Sequence, residues 1–210
     1  MRRDVNESHY EQSPRRERIG RAARLAPDTL LASRPESRFR IISCMGDREA
    51  IRTAKVQGRR TLHFNRIEDA LADVNALEGP TRAGTARCLG NWTFGQILGH
   101  LAAWVDYSFD GVPMKKPPFI IRLILRPMKR RFLYKPMSAG SNIPRVPGGT
   151  LGFEPLPVED GLARFRSAFG RLQRETPALP HLIFGPLTRD EWVNQHLRHA
   201  ELHLSFVRTV

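Results

Sequence analysis

The chain has 210 residues, 40% of them hydrophobic, and a formal net charge of +13 at neutral pH. That length suits one domain with a sizeable core, and the hydrophobic share excludes a wholly disordered chain. No apolar run reaches membrane-spanning length, while the excess of cations raises nucleic acid or an anionic surface as a partner.

Residues 1–57 are unlike the rest. Through Cys44 the stretch carries ten arginines against six acidic residues, no lysine, and no sustained helix or strand period. The expectation is a disordered or loosely attached extension, without the apolar segment of a secretory signal. A sharper expectation is that translation begins at Met45. The cysteines, Cys44 and Cys88, form no disulfide framework or metal motif and read as reduced thiols of a cytoplasmic protein.

The folded domain is expected over 58–210. Arg59–Phe64 reads as an extended lead-in. Asn65 can cap a helix carrying Ile67, Ala70, Leu71, Val74 and Leu77, with a stop at Gly79-Pro80. Thr81–Gly90 reads as a small polar loop. Thr93 with Gln96 is a capping box, and the helix it opens places Phe94, Ile97, Leu98, Leu101 and Val105 on one apolar face. His100 lies on the border of that face, where a histidine is commonly a hydrogen-bonded core residue. Asp106 and Asp110 follow on the same helix.

Lys115–Lys135 alternates Lys115, Lys116, Arg122, Arg126, Lys129, Arg130, Arg131 and Lys135 with Phe119, Ile120, Ile121, Leu123, Ile124, Leu125, Phe132 and Leu133, and contains no acidic residue. The favoured expectation is an extra basic helix packed on the domain, kinked or ended at Pro127. The alternative is a helix that binds nucleic acid or lies on an anionic membrane. Residues 136–157, rich in Gly, Pro and Ser, form a long loop placed at the mouth of the site. Val158–Glu175 is a helix with the stripe Leu162, Phe165, Ala168, Phe169 and Leu172, stopped by Pro177. His181 follows in a loop and reads as solvated or cavity-lining, not as a ligand.

Thr188 with Glu191 opens the last helix through another capping box. At about 100° per residue, Trp192, His196, His199, His203 and Phe206 fall on one stripe. His199 and His203, four apart, can share one divalent metal; the alternative is two hydrogen-bonded core histidines. Glu201 points to roughly the opposite face and is a poor general base. Imidazole sites usually take three protein ligands, and His100 is the best candidate for the third.

The capped helix ending Gln96-Ile97-Leu98-Gly99-His100-Leu101-Ala102, followed by the late His199-Ala200-Glu201-Leu202-His203-Leu204-Ser205-Phe206, resembles the DinB/YfiT-like superfamily of metalloenzymes. Gly58-Arg59-Arg60-Thr61-Leu62 and Phe184-Gly185-Pro186-Leu187-Thr188, leading to Trp192, narrow the likeness to an uncharacterised branch and extend it over 58–210. Many members of that branch carry a second histidine where this chain has Leu202. The resemblance implies an all-α, antiparallel four-helix bundle with a long crossover. It implies a metal held by His100, His199 and His203. Zn²⁺ or Ni²⁺ would suit three imidazoles and an open fourth position.

Characterised members of the superfamily are transferases, isomerases among them, or hydrolases that use low-molecular-weight thiols. The resemblance therefore implies thiol-dependent transfer or hydrolysis on a small-molecule substrate. A homodimer is a separate expectation for a partner. No catalytic residue is evident from the sequence. A non-enzymatic binding module, and a nucleic-acid or membrane-surface protein working through 115–135, are the competing classes.

Overall fold

The computed structural model describes residues 50–210. The readings of the arginine-rich stretch and of Met45 lie outside the described residues. Six helices and a two-stranded sheet make up the domain: α1 Ile67–Arg82, β1 Ala86–Cys88, α2 Phe94–Asp110, α3 Phe119–Leu125, α4 Lys129–Tyr134, α5 Val158–Arg174, α6 Arg189–Leu204 and β2 Val207–Thr209.

The two capping boxes read from sequence are both made. The Thr93 hydroxyl accepts from the Gln96 N–H at 3.2 Å, and the Gln96 side chain accepts from the Thr93 N–H at 3.0 Å. Thr188 and Glu191 repeat the exchange at 3.3 and 3.0 Å. Each box satisfies two orphan donors of a helix start. At α1 the cap differs from expectation. Asn65 does not supply it; Asp69 reaches back and accepts from the N–H groups of Asn65 and Arg66 at 2.8 and 3.0 Å. The helix also runs past Gly79-Pro80 to Arg82. A proline this close to the end withholds only one N–H. Thr81 Oγ1 donating to the Leu77 carbonyl at 2.7 Å, and Arg82 pairing with Glu78 and Glu159, hold the last turn.

Helices α1 and α2 each pack against both α5 and α6. Between them lie Val74, Leu98, Leu101, Phe165, Phe169, Leu172, Leu197 and Ala200, all essentially sealed from solvent. Phe165 and Phe169 stack with centroids 4.1 Å apart. Full burial of each such side chain contributes roughly 1.5–3 kcal/mol. The α2–α5 approach is close because it is built on glycine. A Cβ on Gly95 would sit 2.1 Å from the Leu156 carbonyl oxygen, and one on Gly161 would sit 2.9 Å from that of Gly95.

The expected loop 81–90 contains a strand. β1 pairs antiparallel with β2, with Ala86 opposite Thr209 and Cys88 opposite Val207. Three residues on each side are too few to show an alternation in sequence. The partners also come from opposite ends of the domain. The pairing carries the chain end across the α1–α2 connection and half-buries Cys88, whose thiol burial pushes up to about 11.

Pro127 ends the basic helix as expected: a 3₁₀ turn, Arg126–Met128, separates α3 from α4. The two halves then behave differently. α4 is seated, with Leu133 fully buried, Lys129 paired to Glu191 at 2.7 Å, and Phe132 tilted on Phe184. α3 is not packed on the domain: Phe119, Ile120, Ile121, Leu123 and Ile124 are all exposed. The expectation of one basic helix with a buried apolar side holds for α4 and fails for α3. No helix among the described residues is long and apolar enough to cross a membrane.

Candidate metal centre

His100 projects from the middle of α2 and is 1% exposed. Its Nδ1 donates to the carbonyl of Leu151 at 2.8 Å. A carbonyl only accepts, so this bond places the proton on Nδ1 and leaves Nε2 as a bare lone pair. Such an outer hydrogen bond is what orients metal-binding imidazoles. Leu151 belongs to the long crossover between α4 and α5, which Gln96 anchors beside it by donating to the Phe153 carbonyl at 3.0 Å.

The Nε2 of His100 faces the Nε2 of His199 at 3.1 Å. His203 completes the group. One nitrogen from each of the three rings lies within 4.8 Å of the others. The ring centroids are 4.6 to 5.0 Å apart, with planes at 65 to 80° to one another. Two aligned imidazole nitrogens at 3.1 Å must share either a proton or a cation. Three nitrogens on a tetrahedral ion at about 2.0–2.1 Å stand roughly 3.3 Å apart, close to the His100–His199 separation, while the set with His203 spans up to 4.8 Å.

Burial keeps these rings neutral. It pushes His100 down to about 4, against the pull of the Leu151 hydrogen bond and of Glu154. His199 and His203 lie well below the ordinary histidine value. Desolvation is the main cause for both; neighbouring imidazoles add to it, and Arg59 adds to it at His203. Neutral rings with free lone pairs are the form that binds metal. Aromatic side chains wall the group in: Trp92 stacks on His203 at 5.2 Å, and Trp104 meets His199 edge-on at 5.9 Å.

The three histidines line a cavity of about 520 Å³. Its walls are Trp92 and Trp104, Met128 of the 3₁₀ turn, the α4 side chains Arg131 and Phe132, the crossover from Lys135 to Ile143 and from Gly148 to Thr150, and Phe184, Gln195 and Leu202. The crossover is therefore at the mouth of the site, as its composition suggested. No carboxylate lines the cavity among the described residues. Asp110 is paired with Arg171 at 3.2 Å on the outside, and Asp106 does not reach the cavity.

Glu201 faces away, as its spacing implied. It is buried against Arg198 at 2.7 Å and accepts from the Phe64 N–H. His196, one turn before His199, is buried but does not line the cavity. It stacks on Trp192, and burial pushes it down to about 3.

His181 differs from the solvated reading. It lines the cavity, stacks on Phe184 at 4.8 Å, and burial pushes it down to about 4. Its Nδ1 accepts from the N–H groups of Ile183 and Phe184 at 3.2 Å, so its proton sits on Nε2. That makes it a neutral donor beside the metal-binding group. The turn at Gly185, with φ +76°, closes an antiparallel bridge to His181 that fixes the loop.

The arginines of the lead-in hold the far end of α6. The Arg59 guanidinium donates to Ser205 Oγ at 3.0 and 2.8 Å and lies 4.3 Å over the Phe206 ring. Arg60 forks onto Asp73 at 2.7 and 2.8 Å and also donates to the Leu204 carbonyl. The Gly58–Leu62 motif thus grips the end of the helix that carries His199 and His203.

A helical domain with three neutral imidazoles converging at the wall of a closed-in cavity defines a candidate metal-binding protein. The family model described as a protein of unknown function, DUF1569, matches residues 56–210, and the chain belongs to that family. No curated protein and no solved structure matches the chain.

Proposed function

We propose that His100, His199 and His203 hold one divalent cation, zinc or nickel, and that the protein is a metal-dependent transferase or hydrolase acting on a small molecule with a low-molecular-weight thiol. The carrying observation is the convergence of three neutral imidazole nitrogens within 4.8 Å at a cavity of about 520 Å³. The motif resemblance to the DinB/YfiT-like superfamily supports the reaction class. α1, α2, α5 and α6 correspond in this reading to its four-helix bundle, and 111–157 to the long crossover.

When bound there, such an ion supplies Lewis acidity, polarising an acceptor group or lowering the pKa of a thiol. The Leu151 carbonyl holds the His100 ring in its binding tautomer. Trp92, Trp104 and Phe132 exclude water and favour an apolar body on the substrate. Arg131 and Lys135 are the charged groups of the wall, and with no carboxylate opposing them they favour a substrate bearing negative charge. His181 presents a neutral N–H to a substrate acceptor.

Elemental analysis of purified protein tests the first half, with one equivalent of Zn or Ni per chain as the expected result. A screen with thiol co-substrates and electrophilic or hydrolysable acceptors tests the second. A protein that stays metal-free after supplementation sinks the proposal. One equivalent of metal without turnover of any thiol or ester substrate leaves a structural metal in a binding module.

A further inference from the structure

We propose that the α3–α4 segment docks the domain on an anionic membrane surface, with the aliphatic side chains of α3 seated below the headgroups and the surrounding cations on the phosphates. This does not rest on the metal reading.

The first observation is an inverted helix. Phe119, Ile120 and Ile124 are 71, 66 and 63% exposed, and Leu123 is exposed beside them. Arg122 and Leu125 are the half-buried residues of the same helix. The Arg122 Nε is buried without a hydrogen-bond partner among the described residues. A helix packed on a water-soluble domain shows the opposite pattern. An exposed, contiguous apolar patch of this kind marks an interaction site.

The second observation is the charge around the patch. From Gly111 to Phe153 there is no aspartate or glutamate. Arg126 and Arg130 are exposed immediately beyond α3, and Lys115 and Lys116 immediately before it. An apolar face ringed by cations complements a surface that is negative at its headgroups and apolar beneath them. Nucleic acid would use the cations and leave Ile120, Leu123 and Ile124 in water, because its backbone is met by charged and polar groups. A second copy of the chain, related by a two-fold axis, would set this cation ring against itself.

The placement also bears on access. The 3₁₀ turn after α3 contributes Met128 to the cavity wall, and α4 beyond it contributes Arg131 and Phe132. A domain docked through α3 holds the mouth of its cavity beside the lipid, where amphiphilic molecules concentrate.

Co-sedimentation of the full chain with vesicles of phosphatidylcholine, alone and with phosphatidylglycerol, tests the proposal. Binding is expected to the mixed vesicles, with little to phosphatidylcholine alone, and to weaken with salt. Ile120→Ser combined with Ile124→Ser should lower vesicle affinity at least about tenfold, through lost apolar burial, and leave the melting temperature unchanged. Arg126→Glu with Arg130→Glu should lower it on the order of a hundredfold. Absence of binding to the mixed vesicles overturns the proposal, and so does an affinity that survives the serine pair. A serine variant that melts early or dissociates a dimer in sedimentation velocity shows that α3 is covered by protein, and overturns it too. Tighter binding to duplex DNA than to mixed vesicles, unaffected by the serines, does the same.

Discussion

Helices α6 and α3 break the usual rule of burial in opposite directions. α6 carries His196, Arg198 and Glu201 into the interior; α3 carries isoleucine, leucine and phenylalanine out of it. In α6 the buried polar groups are met in part, while Trp192 Nε1, His196 Nε2, Arg198 Nε and Glu201 Oε2 have no partner among the described residues. Arg198 pairs with Glu201, Glu201 accepts from Phe64, and the His199 ring meets His100. Nothing within the described residues covers Phe119, Ile120, Ile121, Leu123 and Ile124 of α3. Imidazoles that converge at a cavity wall with pKa values pushed down mark a candidate ligand site inside the fold. Exposed apolar groups without partners mark one built for a ligand outside it.

The largest expected effect breaks the α6 side of this contrast. Glu201→Ala leaves Arg198 buried without its partner and should cost about 3–5 kcal/mol in denaturant unfolding. A loss below 1 kcal/mol would show that Arg198 reaches water and that the pair is not part of the core.

Next comes the metal. His100→Ala, His199→Ala or His203→Ala should each weaken zinc binding by more than about a hundredfold in a chelator competition, since outer-shell changes alone reach that size. His196→Ala should leave metal affinity within a few-fold. If His196→Ala strips the metal and His203→Ala does not, the ligand pair is one turn earlier on α6.

Acid sharpens the contrast further. Burial holds His196 at about 3 in the folded chain, against an ordinary value near 6.5. The unfolded chain therefore takes up the proton first. The contribution of His196 to stability is fully present above about pH 6.5 and declines as pH falls towards 3. The slope reaches about 1.4 kcal/mol per pH unit. In metal-free protein, His196→Phe should flatten the acid limb of the stability curve by that amount between about pH 6 and 4. An unchanged limb would place the ring in water.

The smallest effect belongs to α3. Leu123→Asp should change stability by less than about 0.5 kcal/mol, because the side chain is already exposed. The same change in a helix packed on the core would cost several kcal/mol. A large loss would show that α3 is covered in solution.

Much of this was legible in the residues. Thr93 with Gln96 and Thr188 with Glu191 are local exchanges between side chain and backbone three residues apart. Such signals do not depend on the rest of the fold, and both helices start where they place them. The apolar stripes of α1, α2 and α5 are equally local. The i,i+4 pairing of His199 and His203 follows from helix geometry alone. His100 was marked by its place on a capped helix and by motif likeness. Its 3.1 Å approach to His199 was beyond reach, because 99 residues separate them.

What the sequence determined by itself, then, was each helix and the side chains that share a face. Periodicity and capping act within a few residues, and the chemistry of imidazole is the same wherever it lies. The tertiary structure decided which faces are covered. It extended α1 through Pro80, joined 86–88 to the chain end, fixed His181 at the cavity, and seated α4 while leaving α3 bare. Each of these depends on contacts between segments far apart in the chain. The free energy of burying a surface is set by what comes to lie against it, and no stretch of residues carries that information alone.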